Sequence, residues 1–546
     1  MKRTRVLATW SLVALLVALA STGFALQSRS QTSSSTRLLE QVLQRVSFDG
    51  VDSLAREVVI EKAARGFVEQ LDDPYAALYS PEELAAFSRE TIGNDYGGLG
   101  MMIEDQQGVI TVTRVFPDTP AERGGVQPGD RIVEVAGEPI RGWSVERTST
   151  TLLGPPGSSV DVTFARPGME STFGGGFERA RVHQPAVPFV TLLEGDVGYL
   201  PLQRFSQAST AELAAGVARL RAAGARAYVL DLRGNGGGSL PEAVSIADLF
   251  LPEGREVVRI VYRSQPTEVY RSERPAAAGD APVVVLTDRF TASASEIVAG
   301  ALQDHDRALI VGQRSFGKGV VQDVFGLDAG WALKLTTGKW YTPSGRTLQR
   351  DWAAHAAGAE AAEAVEGAHG AQGADAAADA HVPAHAADCT AALAVTSAGG
   401  RRLCAGGGVF PDHPVAPDSL TGPDRALMRA VGANATQLYF AVHEVALELK
   451  EGVGRDFVVL PAWRAMLYER FLAKGGSVER AVFDAGHGIV DQLLERRIAG
   501  FAFGDDAAFL RAAVQDTQLQ EALRLLRAAR TQPELLALAA GGRPTG

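Results

Sequence analysis

The sequence predicts a multidomain α/β protein: a helical N-terminal segment, a compact β-rich domain, a layered domain of alternating strands and helices, and a helical C-terminal region. Three observations support that expectation. At 546 residues the chain is too long for one hydrophobic core. Its apolar period shifts from helical spacing to short strands, then to strands alternating with helices, and finally back to helical spacing. A hydrophobic share of 46% and a charged share of 21% are those of a folded chain, one Ala-rich tract apart.

The elements follow in order. Lys2-Arg3-Thr4-Arg5 precedes an apolar run from Val6 to Ala20, and Gly23-Phe24-Ala25 offers a small-residue cleavage site. Residues 1–25 are therefore expected to be a secretory signal peptide, or an uncleaved anchor if the apolar run is counted through to Leu26. Either way the rest of the chain is expected to be exported, to a bacterial periplasm or cell envelope. Residues 37–92 carry helical spacing at Leu38, Leu39, Val42 and Leu43, then at Val59, Ala63, Phe67 and Leu71, with Asp72-Asp73-Pro74 as punctuation.

Short strands at Gly100–Ile103, Val109–Val112, Arg131–Val135 and Ser158–Ala165, parted by Gly, Pro and Asp, predict a β-rich domain over 93–168. From Val197 the pattern reads strand, helix (Ser209–Ala222), buried strand (Ala227–Leu232), glycine loop and helix (Pro241–Phe250). A buried strand (Val283–Thr287), a helix (Ala294–Gln303) and a strand (Leu309–Val311) follow. This layered domain is expected over 185–352 and 390–418. Between those stretches, residues 353–389 are dominated by Ala and cannot bury enough surface to offset their ordering, so they are expected to loop out. His355, His369, His381 and His385 fall there and are read as solvated. Helical periodicity over 420–546 carries no chemical motif, and suits self-association or docking of an adaptor.

Formal net charge is −11, so no basic stripe for phosphate is expected and nucleic acid is not an expected partner. The two cysteines, Cys389 and Cys404, either bridge across a hairpin or stay as small apolar residues; both readings stand.

Three sites carry chemistry. Thr291-Ala292-Ser293-Ala294-Ser295-Glu296 lies between a buried strand and a helix. Its S-x-x-E spacing fits a capping box, in which the serine only caps the helix. A serine there would also meet a carbonyl at the strand's C-terminal end, where the helix dipole favours negative charge. Gly312-Gln313-Arg314-Ser315-Phe316-Gly317-Lys318-Gly319 nearly spells a phosphate loop. However, position 319 lacks the hydroxyl that would hold magnesium, and β-branched Val320 to Phe325 read as a strand, not the helix such a loop needs. That leaves Lys318 in a glycine-rich, apolar setting, expected on one strand face with Val320 and Gln322, so that Gln322 can hold its amine. Asp231-Leu232-Arg233-Gly234-Asn235-Gly236-Gly237-Gly238 follows a buried strand and can expose backbone N–H groups to an oxyanion. It is similar to the G-N-S-G-G of trypsin-like proteases, but Gly236 stands where their serine would be.

Together these runs resemble the C-terminal processing, or tail-specific, serine proteases. The family's S-A-S-E-I run is present as Ser293 to Ile297, and its F-G-K-G run as Phe316 to Gly319. The resemblance implies Ser293 as nucleophile, Lys318 as base and Gln322 as its support. It implies oxyanion donors at Ala294 and at a glycine of Gly236–Gly238, with Gly237 and Gly238 the candidates. It also implies a layered, ClpP/crotonase-like core with no metal or organic cofactor. Tyr96-Gly97-Gly98-Leu99-Gly100 looks like the carboxylate-binding loop of a PDZ domain, and Ala121 to Asp130 like its following helix and turn. Gly97, Gly98, Leu99 and Gly100 would then receive the free C-terminus of a protein or peptide substrate, which adds as a strand alongside.

Overall fold

The computed structural model describes residues 37–350 and 393–541, apart from 52, 53, 92, 107, 167, 168 and 170. The expected leader at 1–25 and the Ala-rich insertion, with its histidines and Cys389, lie outside the described residues. Cys404 is disulfide-bonded. Among the described residues no helix is long and apolar enough to cross a membrane.

The chain divides into two units, one of residues 1–84 with 322–336, the other of 85–321 with 337–546. In the first, a helix over 37–49 is followed by the helix Arg56–Glu69 and the strand Ala77–Tyr79, which pairs antiparallel with Ala332–Lys334. Asp73 fastens the turn between them, since its carboxylate accepts from Thr336 N at 2.9 Å and Thr336 Oγ1 at 3.0 Å.

The second unit opens with an antiparallel sheet in the order Met101–Asp105, Ile110–Val115, Arg131–Val135, Ser159–Ala165, Phe173–Glu178. Val160, Val162 and Phe164 alternate inward along one strand and pack on Val112, Ile132 and Val135, as a half-buried strand requires. Met101–Asp105 is one of the two edge strands, with the helix Val145–Leu152 packed beside it.

The central sheet has six strands in the order Thr191–Leu193, Val197–Pro201, Ala227–Asp231, Val283–Thr287, Leu309–Gly312, His413–Pro414. Only the first pairing is antiparallel. Its inner strands are buried along their whole length, as parallel strands covered on both faces must be. One face packs Leu200, Leu230, Val283 and Ile310 against Leu213, Ile246, Val298 and Leu302 of the crossover helices Ser209–Ala222, Leu240–Asp248 and Ala294–Asp304. On the opposite face, Val229, Val284, Leu286 and Val311 meet Leu519, Leu523, Leu526 and Leu535 from the helices Thr517–Ala528 and Gln532–Ala539.

The C-terminal region therefore divides in two. Helices from Gly422–Val431 to Asp505–Ala513 enclose a core of their own around Leu427, Val445, Leu467, Phe471 and Leu494. This lobe touches the β-rich domain where Tyr439 donates to Glu104 at 3.4 Å and where Arg114 pairs with Asp505. The last two helices instead complete the central sheet.

Candidate active site

Three loops leave the C-terminal ends of adjacent parallel strands, and each carries one of the motifs. After Val283–Thr287 the chain turns at Asp288, whose carboxylate accepts from Gly234 N, Phe290 N and Thr291 N. Ser293 then sits at φ 54°, ψ −115°, on the side of the backbone map that residues with a Cβ avoid. Such a conformation costs on the order of 1–3 kcal/mol and persists only where its surroundings impose it. Here the surroundings are Asn235 O, which accepts from Ala292 N at 3.0 Å, and Glu296, which accepts from Ser293 N at 2.9 Å.

The capping box expected from the spacing exists in outline, yet its two arms differ. The Glu296 arm closes, whereas the Ser293 hydroxyl faces the Glu296 N–H without making a capping hydrogen bond. Ser293 is only partly buried.

Glu296 does much more than cap. It is fully buried, and its two oxygens gather Ser315 Oγ at 2.6 Å, Gly317 N at 2.7 Å, Lys318 N at 2.8 Å and Ser293 N at 2.9 Å. Burial pushes its carboxyl above the usual range, and these four donors oppose that rise. Ser293 N and Lys318 N share one oxygen, Glu296 Oε2, so the two backbones lie within about 6 Å of each other. One carboxylate thus ties together the serine run and the lysine run.

Lys318 is partly buried. The strand after it begins at Val320, later than the alternation Lys318, Val320, Gln322 suggests. Side chains take the amides that a ladder would need: Lys318 N binds Glu296, and Gly319 N binds Gln349 Oε1 at 2.8 Å. Trp340 Nε1 donates to Lys318 O at 3.1 Å and fixes the loop from the other side. Gln322 lies in the first unit, where its amide donates to Thr336 Oγ1 at 3.5 Å.

The glycine loop is laid directly on the serine. A Cβ added to Gly237, which sits at φ +102°, would stand 2.8 Å from Ala294 N and 2.9 Å from Ser293 Cβ. Only glycine fits there. Gly238 bridges Phe205, its position fixed by Phe205 N on Gly237 O and Ser239 N on Phe205 O. In such a parallel bridge its own N–H points away from Phe205. Gly237 N is already taken by Asn235 Oδ1 at 2.9 Å.

Asn235 is fully buried and is the organiser of this loop. Its amide donates to Leu202 O at 2.7 Å, while its carbonyl accepts from Ala292 N and from Ser295 Oγ. The sequence reading passed over Asn235 and saw Glu296 only as a cap, although both sit inside the motifs it singled out.

At the β-rich domain, Gly97 and Gly98 pair with Arg181 and Ala180 in a short ladder, and Leu99-Gly100 forms the turn into the half-buried edge strand Met101–Asp105. A Cβ on Gly100, at φ +81°, would meet Thr119 at 2.3 Å. The helix Val145–Leu152 lies beside this edge strand, and Glu104 on the strand accepts from Tyr439 of the helical lobe.

A strained serine at a helix N-terminus and a lysine tethered to the same carboxylate define a serine peptidase, and the antiparallel domain before them has the form of a peptide-binding module. Residues 196–354 match the family model described as peptidase family S41, and residues 111–166 match that of a PDZ domain. The chain is 37% identical over 316 residues to a carboxy-terminal-processing protease of Bartonella bacilliformis, covering 56% of this chain and 71% of that one. It is 30% identical over 316 residues to the carboxy-terminal processing protease CtpA of Bacillus subtilis, covering 57% and 66%. A solved structure of a photosystem II D1 C-terminal processing protease shares 32% identity over 56% of this chain and 82% of that one, with a TM-score of 0.34. The chain belongs to peptidase family S41, among the carboxy-terminal processing serine proteases.

Proposed function

We propose that this protein is an endopeptidase that cleaves exported proteins near their C-termini through a Ser–Lys dyad. The observation that supports it best is the Glu296 carboxylate, which holds the backbones of Ser293 and Lys318 on one oxygen. Neutral Lys318 takes the Ser293 proton as Oγ attacks a peptide carbonyl, forming the ester bond of an acyl-enzyme. Lys318 then gives that proton to the departing amine as the C–N bond breaks, and water hydrolyses the ester. For this the amine must be neutral when it acts as base, and Gln322 is assigned to steady it.

Ala294 N–H, at the start of the serine's helix, is assigned as one oxyanion donor. Gly238 N–H is the second; Gly237, whose amide is held by Asn235, gives the close approach that leaves room for the oxyanion. The core is read as a ClpP/crotonase-like layered fold. A substrate C-terminus docks at Leu99-Gly100 and pairs along Met101–Asp105. Residues 1–25 direct the chain to the periplasm or cell envelope, and the C-terminal lobe offers a surface for self-association or an adaptor.

The test is cleavage of fluorescein-labelled β-casein by the full chain and by Ser293→Ala and Lys318→Ala. Both variants should be folded and lose at least a thousandfold in rate. Undiminished cleavage by either one sinks the dyad.

A further inference from the structure

Arg233 lies in the glycine loop's first turn, between Asp231 and Gly234, with its side chain largely buried. Asp231, two residues earlier on the same strand end, accepts from Arg233 Nε at 2.9 Å and Nη2 at 2.6 Å, and is itself held by Tyr199 Oη at 2.7 Å. The other side of the guanidinium fork is filled from far along the chain. Asp516 Oδ1 accepts from Nη1 at 2.9 Å and Asp516 Oδ2 from Nη2 at 2.7 Å, while Gln518 Oε1 accepts from Nη1 at 3.1 Å.

Asp516 also caps the helix Thr517–Ala528, since its Oδ1 accepts from Leu519 N at 2.9 Å. The carboxylate is thus locked to a helix that is itself packed on the central sheet through Leu519, Leu523 and Leu526. Gln518 is almost fully buried and donates to Val415 O at 2.9 Å. Val415 N in turn binds Gly312 O, at the root of the lysine loop. One helix turn therefore braces the roots of both loops that meet at Ser293.

We propose that Asp516 is a positioning residue of the hydrolytic site, holding the Arg233 end of the glycine loop and through it the backbone that faces Ser293. A bidentate fork fixes direction as well as distance, which a loop of four glycines in five residues cannot do for itself. Asp231 cannot replace it, because it sits on the same strand end and moves with the loop. The inference rests on the Ser–Lys reading above.

The experiment uses the full chain and fluorescein-labelled β-casein. Asp516→Asn keeps the cap and gives up the charge; kcat should fall about tenfold, a fraction of the 10²–10³ lost with a whole oxyanion donor, with KM within twofold. Asp516→Glu should restore at least half of kcat. Arg524→Ala on the same helix, which removes only the exposed pair with Glu521, should leave kcat unchanged. A folded Asp516→Asn enzyme with wild-type kcat overturns the proposal, as does an equal loss of kcat, KM and thermal stability in Asp516→Asn and Asp516→Glu. If Asp516→Asn does not fold, Arg233→Lys keeps the charge but not the fork and should show the same tenfold loss; wild-type kcat there overturns it too. Persistent cleavage by Ser293→Ala would instead defeat the underlying reading, so the two failures are separable.

Discussion

The two faces of the central sheet are covered in different ways. On one, each helix is the crossover between neighbouring parallel strands, as Ser209–Ala222 is between Val197–Pro201 and Ala227–Asp231. On the other, the cover arrives only after the whole helical lobe, as Thr517–Ala528 and Gln532–Ala539. The local face carries the proposed nucleophile, because the helix that begins after Ser293 packs on it. The distant face carries the brace, because the same helix turn that buries Leu519 delivers Asp516 to Arg233. A sheet buried on both sides can thus take the cover of one face from nearby sequence and that of the other from remote sequence.

The strongest test of that division is to end the chain after Asp516. Leu519, Leu523, Leu525, Leu526 and Leu535 would be lost from the sheet, a loss on the order of 10 kcal/mol. That matches the whole stability of many domains, so the truncated protein should be insoluble or rapidly digested by trypsin. A soluble product with native melting would show that the distant face is optional.

Leu213→Ala on the local face and Leu526→Ala on the distant one remove equally buried side chains. Each should cost about 2–5 kcal/mol in urea unfolding. A much smaller cost for Leu526→Ala would mean that the last helices are a loose flap.

Gly237→Ala should separate chemistry from stability. The new Cβ collides with the Ser293–Ala294 backbone at an unfavourable φ, so β-casein cleavage should fall about a hundredfold or more. Melting should move by only a few degrees, and a fully active variant would mean the loop is not pressed on the serine as described.

The helical lobe should respond to acid independently of the sheet. His443 is pushed down to about 3 from its ordinary 6.5, first by burial and then by Arg497 and Lys474. The unfolded chain takes up that proton below about 6.5 and the folded lobe does not, so stability falls as pH drops from about 6.5 towards 3. By pH 5 the loss is about 2 kcal/mol. The pH dependence of melting should flatten over that range in His443→Leu; an unchanged profile would place the acid response elsewhere. At the bottom of the scale, Arg524→Ala on the exposed side of the bracing helix should shift stability by no more than about 0.5 kcal/mol.

Much of the site was legible in the sequence because its motifs are local. Ser293 and Glu296 lie on one helical turn, so their spacing announces a capping box; the structure has it, with the Glu296 arm closed at 2.9 Å and the Ser293 hydroxyl turned to the Glu296 N–H. The glycines were legible as a loop, and Gly237 gives the reason, a backbone approach that no side chain allows. Lys318 was legible as a residue but not in its setting. The alternation that placed it on a strand could not show that Glu296 draws its own amide, and Gln349 that of Gly319, away from the ladder. Asp516 gave no signal at all, since an aspartate before a helix usually only caps it, and this one does that too.

The sequence by itself determined which strands are buried on both sides, where the serine and lysine runs fall along the chain, and that a PDZ-like domain comes before them. These follow from short-range patterns of apolar residues, glycines and turn formers, which act over a few residues. Only the tertiary structure decided that a single carboxylate would hold the serine and lysine runs together, and that the last helices would roof the sheet. Those outcomes depend on which distant groups can satisfy a buried charge or an uncovered apolar face, and pairings of that kind leave no periodic trace in the chain.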